Sequence, residues 1–109
     1  MNAATRRRLE VAGWRVGTVA EFLGLTREEE TLIAMRLALS DALKRERRKK
    51  RLSQKQLADR LQSSQSRVAK MEAGDPSVTL DLLIQALLVA GATRAQVGRA
   101  IAGGGRRAA

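Results

Sequence analysis

The chain has 109 residues, enough for one small domain, and its 21 lysines and arginines against 11 acidic residues give a net charge of +10. It contains no cysteine, which excludes disulfides and thiolate metal sites. The charge indicates a polyanionic partner, most often a nucleic acid, whereas the alternative is a charge that serves solubility together with two basic tails.

The sequence gives no sign of a membrane protein. The basic amino terminus is not followed by an apolar segment, so it is not a signal peptide. The longest apolar run, LLIQALLVAGA, is too short to span a bilayer and contains Gln85. A chain without cysteine fits a reducing compartment, and we expect a cytoplasmic protein.

The first half of the chain is predicted to contain an extension and one long helix. Residues 1–25 form a predicted N-terminal extension with short helices. Thr26 and Glu29 make a capping box, T-x-x-E, which predicts a helix that runs to about Lys50. Apolar residues at spacings of three and four predict the buried stripe of this helix: Leu32, Met35, Leu39 and Leu43.

Two short helices follow, each with a clear start signal. Ser53 and Gln56 form a second capping box, S-x-x-Q, at the start of the first. Ser64 (or Ser63) is the predicted cap of the second. Gly74 ends that helix, because glycine adopts the left-handed conformation that follows a C-cap.

Two more helices complete the prediction. Thr79 caps a helix over residues 80–90, and a capping box that begins at Thr93 starts a last helix that ends near Ala102. Residues 103–109 form a predicted disordered tail. This succession of helices predicts an all-α fold, a compact helical bundle.

The segment SSQSRVAKMEAG has unusually little apolar surface for a helix. At roughly 100° per residue, Val68 and Met71 lie on one side, and the opposite side is small or polar. A helix in the major groove of DNA needs such a face, because amide, hydroxyl and ammonium groups contact base edges there. The alternative is an ordinary surface helix with a solvated face.

The two short helices and their turn resemble a known family. LSQKQLADRLQSSQSRVAKMEAG is similar to the helix-turn-helix of the phage Cro and lambda-repressor family, also called XRE-like regulators, over residues 36–90. The resemblance implies a lambda-repressor-like DNA-binding domain over residues 26–102, with its motif at residues 53–73. The upstream GWRVG and EFLGLTREEE are similar to a bacterial subgroup that includes HigA-like antitoxins, which implies a toxin protein as an alternative partner.

The resemblance also implies which residues contact double-stranded DNA. Base edges are read by four residues: Ser64, Gln65, Ser66 and Lys70. Phosphates are contacted by three residues: Ser53, Gln54 and Arg67. Gln62 departs from the family's pattern, which usually has glycine at this turn position, and a left-handed backbone here would cost about 1 kcal/mol.

An arginine follows the buried stripe of the long helix. Arg47 lies one i+4 step after Leu43, and Glu72 lies beside the apolar side of the second motif helix. The resemblance implies that Arg47 and Glu72 pair across the domain, which would satisfy both charges. The alternative is that Arg47 is one member of the solvated run KRERRKKR.

These features favour a regulator over an enzyme. We expect no catalytic residue, cofactor or metal site, because the chain has no His, Cys or Tyr and no Gly-rich phosphate loop. A protein-interaction module is the main alternative, since LDLLIQALLVAG carries apolar residues on more than one face.

We expect a nucleoid-associated repressor that binds an inverted-repeat operator as a homodimer. Its expected interface has five side chains: Leu83, Leu87, Leu88, Val97 and Ile101.

Overall fold

The computed structural model describes residues 22–103, and this range contains five α-helices and no strand. The predicted all-α fold is confirmed. The extension up to residue 21 and the tail beyond Gly103 lie outside the described residues. The helices are α1 (Arg27–Lys49), α2 (Gln54–Leu61), α3 (Gln65–Glu72), α4 (Leu80–Ala90) and α5 (Arg94–Ala102).

Helix α1 begins at the predicted capping box. The Thr26 hydroxyl accepts the Glu29 N–H at 3.0 Å, and Glu29 Oε1 accepts the Thr26 N–H at 2.8 Å. The boundary between two compact units of the chain falls inside this helix, between Ala34 and Met35. The domain boundary expected after residue 25 stays a prediction.

The buried stripe of α1 is shorter than its apolar pattern. Leu39 and Leu43 are fully buried, but Leu32 is 43% exposed, so its assignment to the buried stripe is wrong. The residues that pack around Leu39 and Leu43 come from positions 57–100. The buried residues that α1 contributes to this core thus lie in its C-terminal half.

The starts of α2 to α5 follow the capping signals of the sequence. The Ser53 hydroxyl accepts the Gln56 N–H at 3.0 Å, and Gln56 Oε1 accepts the Ser53 N–H at 2.8 Å. Ser64, rather than Ser63, caps α3 by accepting the Arg67 N–H at 3.2 Å. Side-chain oxygens at N-caps satisfy amides that have no partner inside the helix, which fixes where each helix begins.

The core forms where α2 packs against α3 and α4, and α4 packs against α5. Its fully buried large side chains are Leu39, Leu43, Leu57, Val68, Met71, Leu83 and Leu87. Val97 is buried with them. The prediction that Leu83, Leu87 and Val97 lie on an exposed dimer surface is therefore wrong, because this core uses them.

Gly74 ends α3 with a φ of +76°. Residues that have a Cβ adopt this left-handed backbone conformation only with steric strain. A Cβ at this position would lie 2.8 Å from Leu37 Cδ2. Gly98 differs, since it lies inside α5 and a Cβ there would have no neighbour within 4 Å.

We expect Gly74→Ala to lower the free energy of unfolding by about 1–2 kcal/mol, because of the left-handed backbone. Gly98→Ala is the matched control and should raise it by about 0.5–1 kcal/mol through helix propensity. Urea denaturation of both variants measures the difference, and a loss of stability in Gly98→Ala would contradict this account of α5.

Candidate nucleic-acid interface

Helix α3 has a buried side and a bare side. Val68 and Met71 are fully buried against the core. Four residues around the other side are exposed: Ser64, Gln65, Ser66 and Lys70. The helix therefore presents one amide, two hydroxyls and one ammonium group on a surface with no bulky apolar side chain.

The turn between α2 and α3 sets the orientation of this surface. Gln62 has φ 56° and ψ 48°, a left-handed conformation at the position where the family usually has glycine. The next amide, of Ser63, donates to the carbonyl of Ala58 at 2.9 Å. This backbone hydrogen bond closes α2 in the manner of a Schellman motif, and the chain then turns directly into the cap of α3.

Arg47 and Glu72 form an ion pair between α1 and α3. Arg47 Nε lies 2.5 Å from Glu72 Oε2, and Nη2 lies 3.0 Å from Oε1. The third donor, Nη1, reaches the carbonyl of Leu52 at 2.8 Å. The two side chains are only 12% and 4% exposed, so water contributes little to their solvation.

Both charges are stabilised by the contacts of the pair. Burial raises the pKa of the Glu72 carboxyl, but hydrogen bonds from Arg47 and Gln54, with the charges of Arg47 and Lys44, lower it by more. The net pKa is below the ordinary glutamate value. The hydrogen bond to Glu72 likewise raises the pKa of Arg47, against the opposing effect of burial.

The lowered pKa of Glu72 makes the stability of the fold depend on pH in acid. The group is more acidic in the folded state than in the unfolded state, so its contribution to stability is fully present above the ordinary glutamate pKa of the unfolded chain. This contribution is lost as the pH falls through the lower folded-state pKa.

Gln54 connects the ion pair to the bare side of α3. Its Nε2 donates to Glu72 Oε1 at 3.1 Å, and its Oε1 accepts from Gln65 Nε2 at 2.8 Å. An ionised carboxylate only accepts, so Gln54 must turn its NH₂ towards Glu72 and its oxygen towards Gln65. The buried carboxylate thereby fixes the donor and the acceptor in both hydrogen bonds of the series from Gln65 through Gln54 to Glu72.

This direction determines what Gln65 offers to a ligand. One N–H of its amide is held by Gln54, which leaves its second N–H and its Oε1 at the exposed surface. A carboxamide with one donor and one acceptor side by side can form two hydrogen bonds to a planar group with the opposite pattern.

The remaining candidate residues surround this amide. Ser53 and Ser64 both use their hydroxyl oxygens as helix caps, which leaves their protons for another acceptor. Ser66 Oγ lies 3.4 Å from Ser64 Oγ. Arg67 lines a groove of about 460 Å³ together with Gln85 of α4. Thus Arg67 lies on the flank of α3.

Arg36 makes a contact that is not among the predictions from the sequence. Its Nη1 donates to the carbonyl of Val78, in the loop between α3 and α4. The signal was present, because Arg36 lies on the same stripe as Leu43 and Arg47 at helical spacing. The arginine therefore ties α1 to the chain that leaves α3.

Apart from Arg47, most basic residues of the run KRERRKKR are exposed to solvent. The interpretation as a solvated run is therefore right for these residues, although not for Arg47. Arg45, Arg48, Lys49 and Arg51 are exposed. Lys50 Nζ contacts the buried Glu46 carboxylate at 2.7 Å. Within residues 22–103, no helix combines the length and apolar content that a bilayer crossing needs.

The comparisons with known proteins agree with this geometry. A model of the helix-turn-helix family matches residues 43–100, more than half of the chain. The protein belongs to this family, which is of the Cro and lambda-repressor type, so the resemblance to that family is confirmed; the resemblance to the HigA-like subgroup stays a prediction. The family binds DNA and regulates transcription rather than catalysing a reaction. No match was found to a curated protein or to a solved structure.

We expect Glu72→Ala to lower the free energy of unfolding by about 3–5 kcal/mol, because it leaves the buried Arg47 without its partner. Asp59→Ala is the matched control, since it removes a carboxylate from the exposed Lys55–Asp59 pair at 3.8 Å. The control should change stability by less than about 0.5 kcal/mol. Equal thermal midpoints for both variants would contradict a structural role of the pair.

Proposed function

We propose that the protein is a transcriptional repressor that inserts α3 into the major groove of a specific operator. The observation that carries the proposal is the chain of hydrogen bonds from Glu72 through Gln54 to Gln65. It fixes an exposed carboxamide before any ligand binds, which lowers the entropy lost on recognition.

Gln65 is the proposed main reader of sequence. Its free Oε1 and N–H match the N6 donor and N7 acceptor that adenine presents in the major groove. Ser64 and Ser66 offer hydroxyls that suit several bases, so they add affinity more than discrimination. Lys70, one turn further along α3, reaches guanine or a nearby phosphate.

Phosphate contacts are proposed on both sides of α3. Ser53 and Gln54 lie at the start of α2, where backbone amides are also available to an anion. Arg67 lies at the other flank. These contacts set the position of α3 and carry no sequence information of their own. The net charge of +10 supports binding to the DNA backbone in general.

Gln65→Ala tests the readout. We expect it to weaken binding to the preferred duplex by about 1–3 kcal/mol and to leave binding to random duplex nearly unchanged, because only base contacts are lost. Arg67→Ala is the comparison variant and should weaken both complexes to a similar degree, since a phosphate contact is common to them. Titrations at one fixed salt concentration measure both, and equal losses for Gln65→Ala would remove it from base reading.

We further propose that two copies bind an inverted repeat. One α3 reads only a few base pairs, and a two-fold dimer spaces two such helices by one turn of duplex, about 34 Å. Because Leu83, Leu87 and Val97 are in the core, the apolar surface available to a second copy is smaller than the five-residue interface that the sequence predicts. Leu88 is 49% exposed, and Ile84 lies one turn before it on the same face of α4. Ile101 of α5 is half-buried.

Leu88→Lys should dissociate the dimer, because it adds a charge to the proposed apolar contact. Leu37→Lys is the matched control, since Leu37 is similarly exposed but lies on α1. Light scattering gives the oligomeric state and footprinting gives the length of the protected site. A wild-type monomer that protects one asymmetric half-site would refute the dimer.

An autoregulating HigA-like antitoxin is the second candidate. Phe22 and Leu23 precede the family match and are 80% and 61% exposed, an arrangement that favours a protein partner. We expect the protein to co-purify with the product of an adjacent toxin gene. The double variant Phe22→Asp, Leu23→Asp should lose that partner and keep operator binding. Without a toxic product from either neighbouring gene, this candidate fails.

A further inference from the structure

A second concave site lies apart from the helix-turn-helix. It has a volume of about 290 Å³ and is lined by residues of α1, α4, α5 and the loop before α5. No residue of α2 or α3 lines it. This cavity is therefore separate from the surface proposed to read DNA, and the proposed function does not use it.

The floor of the cavity is apolar. Ala42 of α1, Leu87 of α4, and Ala92 and Ala100 around α5 contribute methyl groups to its lining. Three of these residues are buried. Small side chains around one leucine leave a hollow that an apolar body can fill, and burial of that body would be favourable.

The rim of the cavity is basic. Arg45, Lys49 and Arg99 line it, and all three are exposed. Arg45 also contacts Asp41 at 3.4 Å, but both side chains of that pair are about half exposed, so the contact is weak. Three cations thus line one cavity, and an anion bound there would reduce the repulsion among them.

The one carboxylate in the lining is already neutralised. Glu46 is buried, and its Oε2 lies 2.7 Å from Nζ of Lys50, which is not among the lining residues. Its Oε1 lies 3.9 Å from Lys49. A cationic ligand would have to displace Lys50 from this contact. A metal ion has too few ligands, because no group of three acidic or other metal-binding residues occurs among residues 22–103.

We propose that this cavity binds a small organic anion, with an apolar body on the alanine and leucine floor and an acidic group between Lys49 and Arg99. The volume suits a one- or two-ring molecule, since ligand sites typically start near about 300 Å³. An inorganic anion would contact the basic rim and leave the apolar floor empty. The DNA backbone would likewise contact only the rim, so neither ligand would use both the rim and the floor.

The proposal is tested with naphthalene-1-sulfonate as the anionic probe, on the full chain, by calorimetry and by amide shifts in nitrogen-15 NMR spectra. Two comparison compounds separate the parts of the site: 1-naphthalenemethanol lacks the charge, and sulfate lacks the apolar body. We expect the sulfonate to bind at least about tenfold more tightly than either. We expect its largest shifts around Ala42, Glu46 and Ala92, and not in α3.

Matched variants test the location. Arg99→Ala should weaken the probe about tenfold, through loss of one charged contact. Arg94→Ala removes the same charge from the same helix but outside the cavity, and should change affinity by less than about twofold. Ala42→Leu should abolish binding by filling the floor without changing any charge. Both arginines are exposed, so their variants keep the fold even if Ala42→Leu does not.

Three results would overturn the proposal. Equal losses in Arg94→Ala and Arg99→Ala would indicate general attraction to a basic surface. Equal affinity for the neutral compound would remove the role of the rim. Shifts confined to α3 would assign the probe to the proposed DNA surface instead.

Discussion

Two buried charges have to be satisfied together in this fold, those of Arg47 and Glu72. Either charge without the other would be strongly destabilising in so little water. The guanidinium also holds the carbonyl of Leu52, so α1, α3 and the loop before α2 must come together for all of its contacts to form. A pair of this kind adds little net stability over apolar residues, but it allows only one arrangement of the three elements.

The orientation of the exposed Gln65 amide follows from this arrangement. Glu72 is accept-only, so it orients Gln54, and Gln54 in turn orients Gln65. The left-handed turn at Gln62 brings α2 and α3 close enough for the two glutamines to meet. Binding chemistry at the surface thus depends on an interaction two residues deeper in the protein.

Local signals in the sequence were sufficient for the helices, and insufficient for contacts made across space. Capping boxes such as Ser53 with Gln56 involve residues three apart, so they can be recognised without knowing the fold. The hydrogen bond between Gln54 and Gln65 depends on turn geometry, and the cavity is lined by residues of α1 and α5 that are far apart in the sequence, such as Glu46 and Arg99. The periodicity of α4 showed several apolar faces but not how many neighbours it has. The sequence alone therefore places Leu83 and Leu87 at the surface, although they belong to the core.

Burial of the ion pair also determines how the protein responds to salt. Dissolved ions screen exposed charges beyond about 8 Å at physiological ionic strength, but they screen a buried pair much less. Affinity for the DNA backbone falls steeply as the salt concentration rises, because counterion release then contributes less. The orientation of Gln65 is held from inside the protein and does not change in this way. Ionic strength thus changes the affinity for the DNA backbone much more than it changes the orientation of the Gln65 amide.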